Sequence, residues 1–401
     1  MLLFTLISGT VVTTFSSTPA LNLTENSWNT KTPMKQERAG LGVVTVDGKI
    51  YAIGGYTTIC HFTRELDGFC GTNERYDPKT DTWVTLKAMP TPRANFAIAA
   101  HEGKIYCIGH GPTEVYDTTT NSWSTKTSIQ FNGNKLKANV IDGKIFVLAN
   151  LRLYMYDPNS DIWTEKASIP NLDNIPIANI EWQSNYLESI SAVIDNRLMA
   201  LYSYSPGGGL SPVNRVMFYD PKTDVWTEGP MYNYPAYVFG CGISVTNGLY
   251  APKKAYFIDI NGVNLVYDPV NCTWSSAETR PTYRKQFGVA AIDDTLYVIG
   301  GAPLPPYPLP PDFVDKAISV NEQYIPIGYG SVITPEPSNP TLEPTNPTPE
   351  PSNPTPETTK NSESFLNPPI VTAILALIVS VVVISLFFYF KKRKENVLAH
   401  E

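Results

Sequence analysis

One spacing constrains this chain more than any other feature. A tyrosine is followed seven residues later by a tryptophan at Tyr76/Trp83, Tyr116/Trp123, Tyr156/Trp163, Tyr219/Trp226 and Tyr267/Trp274. Each pair brackets a turn, such as Asp77-Pro78 or Asp157-Pro158. A second pattern comes before it. Val43-Val44-Thr45-Val46, the turn Asp47-Gly48 and Lys49-Ile50-Tyr51-Ala52-Ile53 alternate β-branched and aromatic residues around turn punctuation, which reads as two short antiparallel strands. The turn returns as Glu102-Gly103, Asp142-Gly143, Asn196, Asn247-Gly248 with Leu249-Tyr250 after it, and Asp293-Asp294. Four strands per copy make a sheet too small to bury its own faces, so the copies must pack on one another.

Six copies of the first half start near Gly42, Ala97, Lys137, Ile190, Gly240 and Gly288. The sixth runs to Asn321-Glu322-Gln323-Tyr324 and has no tryptophan, while Asn26-Ser27-Trp28 is a tryptophan end with no beginning. Joined, the two fragments complete one sheet and close a ring of six, which removes exposed strand edges. Gly54-Gly55 and Gly300-Gly301 after the second strand, the Tyr-Asp-Pro turn and the tryptophan resemble kelch repeats. The resemblance spans roughly residues 26–326 and implies a β-propeller with about 50 residues per blade. In the second copy Gly-Gly becomes Gly109-His110, and copies three to five lack it. The expected fold is all-β, a six-bladed kelch-type propeller over residues 21–330.

The ends of the 401-residue chain differ from the repeats. Residues 1–20 are short and apolar and finish in Thr18-Pro19-Ala20, the pattern of a secretory signal cut near Ala20. Residues 331–367 form a Pro/Thr/Glu-rich, disordered stalk, and Thr334 to Thr359 would extend roughly 80 Å at about 3.1 Å per residue. Residues 370–390 carry no charge and match the roughly 20 residues a transmembrane helix needs. Lys391-Lys392-Arg393-Lys394 follow, so residues 391–401 read as a cytoplasmic tail and the propeller lies outside a cell membrane crossed once. A stalk before a C-terminal anchor resembles the layout of archaeal cell-surface proteins. The net charge is −7, and the tail contributes +2 of it. An acidic body excludes nucleic acid as a partner.

Several side chains are candidates for chemistry. Cys60 and Cys70 lie in one loop and are the expected disulfide, whereas Cys107 and Cys241 fall on strand positions held by Ala52/Val298 and Val43/Val289 and read as packed thiols. Asn22-Leu23-Thr24 and Asn271-Cys272-Thr273 are N-glycosylation sequons. The kelch resemblance brings in a copper-oxidase type, which needs histidines. Of His61, His101, His110 and His400, the last lies beyond the membrane segment, and His101 and His110 sit at opposite ends of one predicted strand. No metal site and no cofactor are expected.

Arg38, Arg93 and Arg284 each stand four residues before an inner strand, in blades one, two and six. Three guanidinium groups at a channel mouth would suit an acidic sugar or peptide. Glu74, Glu114 and Glu322, two residues before the repeat tyrosine, occur in the same three blades, while Tyr154, Met217 and Leu265 replace them elsewhere. That co-occurrence favours Arg–Glu pairs that hold strands together. The turn aspartates Asp77, Asp117, Asp157, Asp220 and Asp268 read as Asx turns.

The function that follows is a membrane-anchored binding or adhesion module recognising extracellular protein or glycan through loops such as Tyr56 to Thr72, Tyr202 to Val213 and Pro303 to Pro311. Two alternatives stay open. One is a carbohydrate-active enzyme of mutarotase or lyase type at the channel mouth, favoured if Glu181 and Glu188 of the insert around Trp182 reach the arginines; the other is a structural cell-envelope protein.

Overall fold

The computed structural model describes residues 23–60, 66–130, 136–149, 151–170, 188–204, 213–231, 240–304 and 314–331. The signal, Asn22, His61, the insert with Glu181 and Trp182, the stalk, the membrane segment and the tail lie outside the described residues, as do the side chains of Cys60 and Glu188.

Among the described residues every regular element is a strand, and the strands form six four-stranded antiparallel sheets, with a three-stranded and a two-stranded sheet beside them. Blade 1 runs outward from Gly42–Val46 through Lys49–Ile53 and Asn73–Asp77 to Thr82–Leu86. Blades 2, 3, 4 and 5 repeat that order from inner strands Ala97–His101, Leu136–Ile141, Glu188–Ile194 and Gly242–Val245. Blade 6 takes Gly288–Ile292, Thr295–Ile299 and Asn321–Ile325 from the end of the chain and Ser27–Lys31 from its beginning. Ser27 faces Ile325 and Lys31 faces Asn321, so the first strand closes the last sheet. Inner strands of successive blades touch all the way round, the sixth against the first. At the tightest approach a Cβ on Gly288 would sit 2.0 Å from the Val43 side chain, so blades 6 and 1 meet there on a residue without one.

The seven-residue spacing has a geometric cause. Tyr76 lies directly across its hairpin from Trp83, and the same holds in every blade, with ring centroids 4.9 to 5.2 Å apart. Each tryptophan then reaches the blade before it. Trp83 Nε1 donates to Thr32 O at 2.8 Å, while the residue two before it, Asp81, accepts from Thr32 N at 3.0 Å and from the Tyr76 hydroxyl at 2.5 Å. Asn121, Asp161, Asp224 and Asn26 make the same two-way clasp with Lys87, Thr127, Ala167 and Glu278. All five sit at φ between 50 and 59°, the left-handed region that Asp and Asn tolerate. Between blades 4 and 5 the clasp loses one half. Trp274 donates to Pro230 O at 3.0 Å, proline has no N–H to return, and Cys272 stands where the acceptor would be. Replacing Asp81 by Ala is expected to cost about 1–3 kcal/mol, because it strands the Tyr76 hydroxyl and the Thr32 N–H together. Urea unfolding measures it; a change under a few tenths would mean the clasp is idle.

Blade 5 departs from the sequence reading. Its inner strand begins at Gly242, which pairs with Ile258 as Gly42 pairs with Ile53, two residues later than Gly240. Cys241 therefore corresponds to Leu41 and Phe287 rather than to Val43 and Val289, and it is buried. The second strand is Ala255–Ile258, not a run opening at Leu249-Tyr250. Pro252 cannot donate within a central strand, so the chain loops out before it. Asp294 gathers the loop: its carboxylate accepts from the backbone N–H groups of Leu249, Tyr250 and Ala251 at 2.6, 2.6 and 3.1 Å.

The Cys60–Cys70 bridge does not form either. Tyr56 faces Phe69 and Ile59 faces Leu66, and Cys70 N bonds to Gly55 O. That register puts Cys70 opposite Gly55, about 16 Å along the strand from Cys60 at roughly 3.3 Å per residue, while a disulfide needs Cα atoms within about 7 Å. The Cys70 thiol is free and points at Gly54 O and Gly55 O. Strand Tyr56–Cys60 pairs with Val314–Lys316 as well as Leu66–Phe69, so hairpin bonds tie this excursion of blade 1 to blade 6.

Candidate functional site

Strand order places two kinds of connection at opposite ends of the blades. The two-residue inner turns gather at one end of the central channel. The 246–254 loop of blade 5 takes the place of such a turn at that same end, while the arginines and the Gly-Gly corners lie at the other, where second strands lead to third strands.

At the arginine end the three guanidinium groups are buried and paired with protein, although the Nε of Arg38 and of Arg93 has no hydrogen-bond partner among the described residues. Arg38 is 0% exposed and donates through Nη1 to Ala52 O, Gly54 O and Thr72 O at 3.1, 2.9 and 3.1 Å, and through Nη2 to Glu74 Oε2 at 2.7 Å. The other Glu74 oxygen accepts from Lys35 N at 3.0 Å. Arg93 repeats the arrangement with Pro112 O at 2.7 Å and Glu114 Oε2 at 2.8 Å, and Thr91 caps that carboxylate. Arg284 reaches Gly300 O at 2.7 Å, Val298 O at 2.9 Å and Glu322. Burial pushes all three guanidinium groups below their ordinary range; Glu74 and Glu322 oppose that shift at Arg38 and Arg284, and the Cys107 sulfur and Glu114 do so at Arg93.

The carbonyls these arginines hold belong to corners that fold back on themselves. Gly54 and Gly55 have φ of 65 and 104°, and Gly300 and Gly301 have 65 and 106°, so the Gly-Gly corner turns its carbonyls inward onto the guanidinium. Above them the mouth is stitched by backbone bonds from blade to blade: Asn95 N to Gly40 O at 2.7 Å, Gly40 N to Gln286 O at 2.8 Å and Gln286 N to Gly240 O at 3.0 Å. Tyr56, fully buried, adds a hydroxyl bond to the Gln286 side chain. The expected ligand-facing arginines thus lie buried beneath these bonds.

A fourth arginine escaped the sequence reading. Arg280 stands four residues before Arg284, where Met34 and Met89 precede Arg38 and Arg93. Those methionines rest against Gly300 and Gly54, with Cε 3.0 and 3.1 Å from where a Cβ would be. In blade 5 the corner glycine is Asp259, so Met-on-Gly becomes Arg280 beside Asp259 at one seam. Arg280 is buried, lies 4.2 Å over the Phe287 ring and donates to Asp259 O and Arg284 O at 3.4 and 3.2 Å. Burial, reinforced by Arg284, lowers it to about 9. The paired column change was the signal that could have exposed it.

The channel wall joins aliphatic side chains to the polar groups of Thr45, Asn139, Ser191 and Ser244. Near the arginine end Leu41, Phe96, Leu136, Cys241 and Phe287 narrow it to a cavity of about 150 Å³. Asn139 Nδ2 donates to Ser191 Oγ at 2.7 Å between blades 3 and 4. Cys107 is buried behind Arg93, and burial pushes its thiol up to about 12. Among the described residues no group of His, Cys, Asp and Glu is arranged to hold a metal. Asn271 is exposed on its turn, with its side-chain amide 3.2 Å from Asp268.

The Kelch motif matches residues 37–90, the stretch that carries Arg38, Gly54-Gly55, Glu74, Tyr76 and Trp83. The chain is a kelch-repeat β-propeller. Relatives of this kelch propeller include the Influenza virus NS1A-binding protein homolog of Mus musculus, 40% identical over 77 residues, which are 19% of this chain and 11% of that one. Kelch-like protein 15 of Danio rerio is 33% identical over 84 residues, 21% of this chain and 14% of the relative. The kelch propeller thus matches well under a fifth of the length of these relatives. The solved structure of YjhT aligns with a TM-score of 0.52 over 72% of this chain and 95% of that one at 14% identity, a likeness of fold.

Proposed function

We propose that this kelch propeller is the binding module of a cell-surface protein, anchored by a single membrane helix over residues 370–390, and that its loop-bearing end recognises an extracellular protein or glycan. One observation carries the reading. Glu74, Glu114 and Glu322 pair the mouth arginines and all three guanidinium groups are buried, so the end with the connections from second to third strands presents a scaffold rather than an open cationic pocket. Loops on a rigid scaffold vary freely and are where recognition concentrates. The mouse relative is named as a homolog of a protein that binds the influenza virus protein NS1A, which favours a protein ligand.

The test is an array of surface proteins and glycans probed with residues 21–333, alongside variants in which one long connection at a time is shortened to the length of Gly109–Pro112 in blade 2. A folded variant that loses a ligand places recognition on that connection. If every shortened variant binds as the parent does, the loop-face reading fails.

A further inference from the structure

At the turn end the six inner strands enclose a second cavity of about 360 Å³. Each inner strand ends its sheet, so one edge of it faces the channel, and part of its N–H and C=O groups find no ladder partner there. Side chains on three successive blades add to that polar lining: Asn139 on blade 3, Ser191 on blade 4 and Ser244 on blade 5. Asn139 Nδ2 donates to Ser191 Oγ at 2.7 Å, and among the described residues neither Asn139 Oδ1 nor the Ser244 hydroxyl has a hydrogen-bond partner. Blades 6, 1 and 2 face them with Ala291, Val43 and Ala100. The one hydroxyl on that side, Thr45, donates to Ala291 O at 3.0 Å.

The lining carries donors and acceptors together and no ionisable side chain. That combination selects what it can hold. A carboxylate brings acceptors only and an ammonium donors only, and each would surrender its hydration to a wall without a counter-charge. A hydroxyl donates and accepts through one oxygen, so it can meet an N–H, a C=O or a serine alike. A ring that bears several hydroxyls also keeps C–H surface for the aliphatic side.

We propose that this cavity binds a neutral polyhydroxylated ring, a hexose or a cyclitol. The hydroxyls meet Ser244, Asn139 and the strand edges, and the C–H surface lies toward Val43, Ala100 and Ala291. A cavity of about 360 Å³ lies within the roughly 300–1,000 Å³ of small-molecule clefts. Beyond it the channel tightens at Leu41, Phe96, Leu136 and Phe287, so the ring enters from the turn end. The site is at the other end of the channel from the arginines and stands apart from the function proposed above.

Titration calorimetry of the intact chain with glucose and with myo-inositol tests it. Saturable binding of at least one is expected. Ser244→Ala removes one hydrogen bond to the ligand and should weaken that binding about three- to tenfold, and Ser244→Ala/Asn139→Leu more than about tenfold. Because the Ser244 hydroxyl bonds to no described residue, the melting temperature of Ser244→Ala should match the parent and show that the fold is intact. The charged analogue of the bound ring, glucuronate or inositol monophosphate, is expected to bind at least about tenfold more weakly. Three results would each overturn the proposal: no saturable binding of either ring, an affinity that Ser244→Ala leaves unchanged, or a charged analogue that binds as tightly as its neutral parent.

Discussion

Replacing Arg38 by Met is expected to lower folding stability by about 3–5 kcal/mol, the cost of leaving a buried carboxylate without its partner. Glu74 is 1% exposed and would keep one bond, from Lys35 N, while the carbonyls of Ala52, Gly54 and Thr72 would lose their shared donor. A melting temperature lower by roughly 10 °C would follow for a domain of this size. The methionine has company of its own kind, since Met34 already touches the Arg38 guanidinium at 3.5 Å, so crowding does not explain the loss. Were Arg38 held for a ligand instead, its removal would abolish binding and leave stability within about 1 kcal/mol of the parent.

Deleting residues 23–31 is the second large effect. It removes the outer strand of blade 6 and exposes Asn321–Ile325 as an open edge. Trp28 goes with it, and truncating a packed tryptophan alone costs about 3–5 kcal/mol. Its ring packs 5.0 Å from Tyr324 and its Nε1 is bonded to Glu278 O at 2.8 Å. Asn26, which clasps both the Tyr324 hydroxyl and Glu278 N at 2.8 Å, is lost too. The sum exceeds roughly 5 kcal/mol, a large part of an ordinary domain's stability. The shortened chain is expected to melt at least about 10 °C lower and to associate through its new edge, visible in size-exclusion chromatography. An unchanged melting curve would refute closure by the first strand.

Much of this fold was legible because its determinants are local. A tyrosine opposite a tryptophan, one pair out from a four-residue turn, fixes the spacing, and Asp47-Gly48 or Asp142-Gly143 fixes the inner hairpin. Internal comparison also paired Arg38 with Glu74, since residues that appear and vanish together in a repeat share one environment. What stayed hidden depended on partners distant in sequence. Asn247-Gly248 has the form of a hairpin turn, yet Asp294 of the next blade draws its neighbours into a wider loop. Cys60 and Cys70 share a loop, but the register of their hairpin keeps them apart. Arg280 and Asp259 are a coordinated exchange in two columns, and neither residue alone signals it.

The claim that the mouth arginines hold together the strands of their own blades is tested most directly by a double-mutant cycle on Arg38 and Glu74, read by urea unfolding. Arg38→Met and Glu74→Leu are each expected to be destabilising by several kcal/mol, yet the double variant should recover to within about 1–2 kcal/mol of the parent, because an apolar pair of similar volume replaces a buried ion pair at little cost. Additive losses, with the double variant as unstable as the two single changes summed, would contradict the account and return the arginines to a role outside the fold.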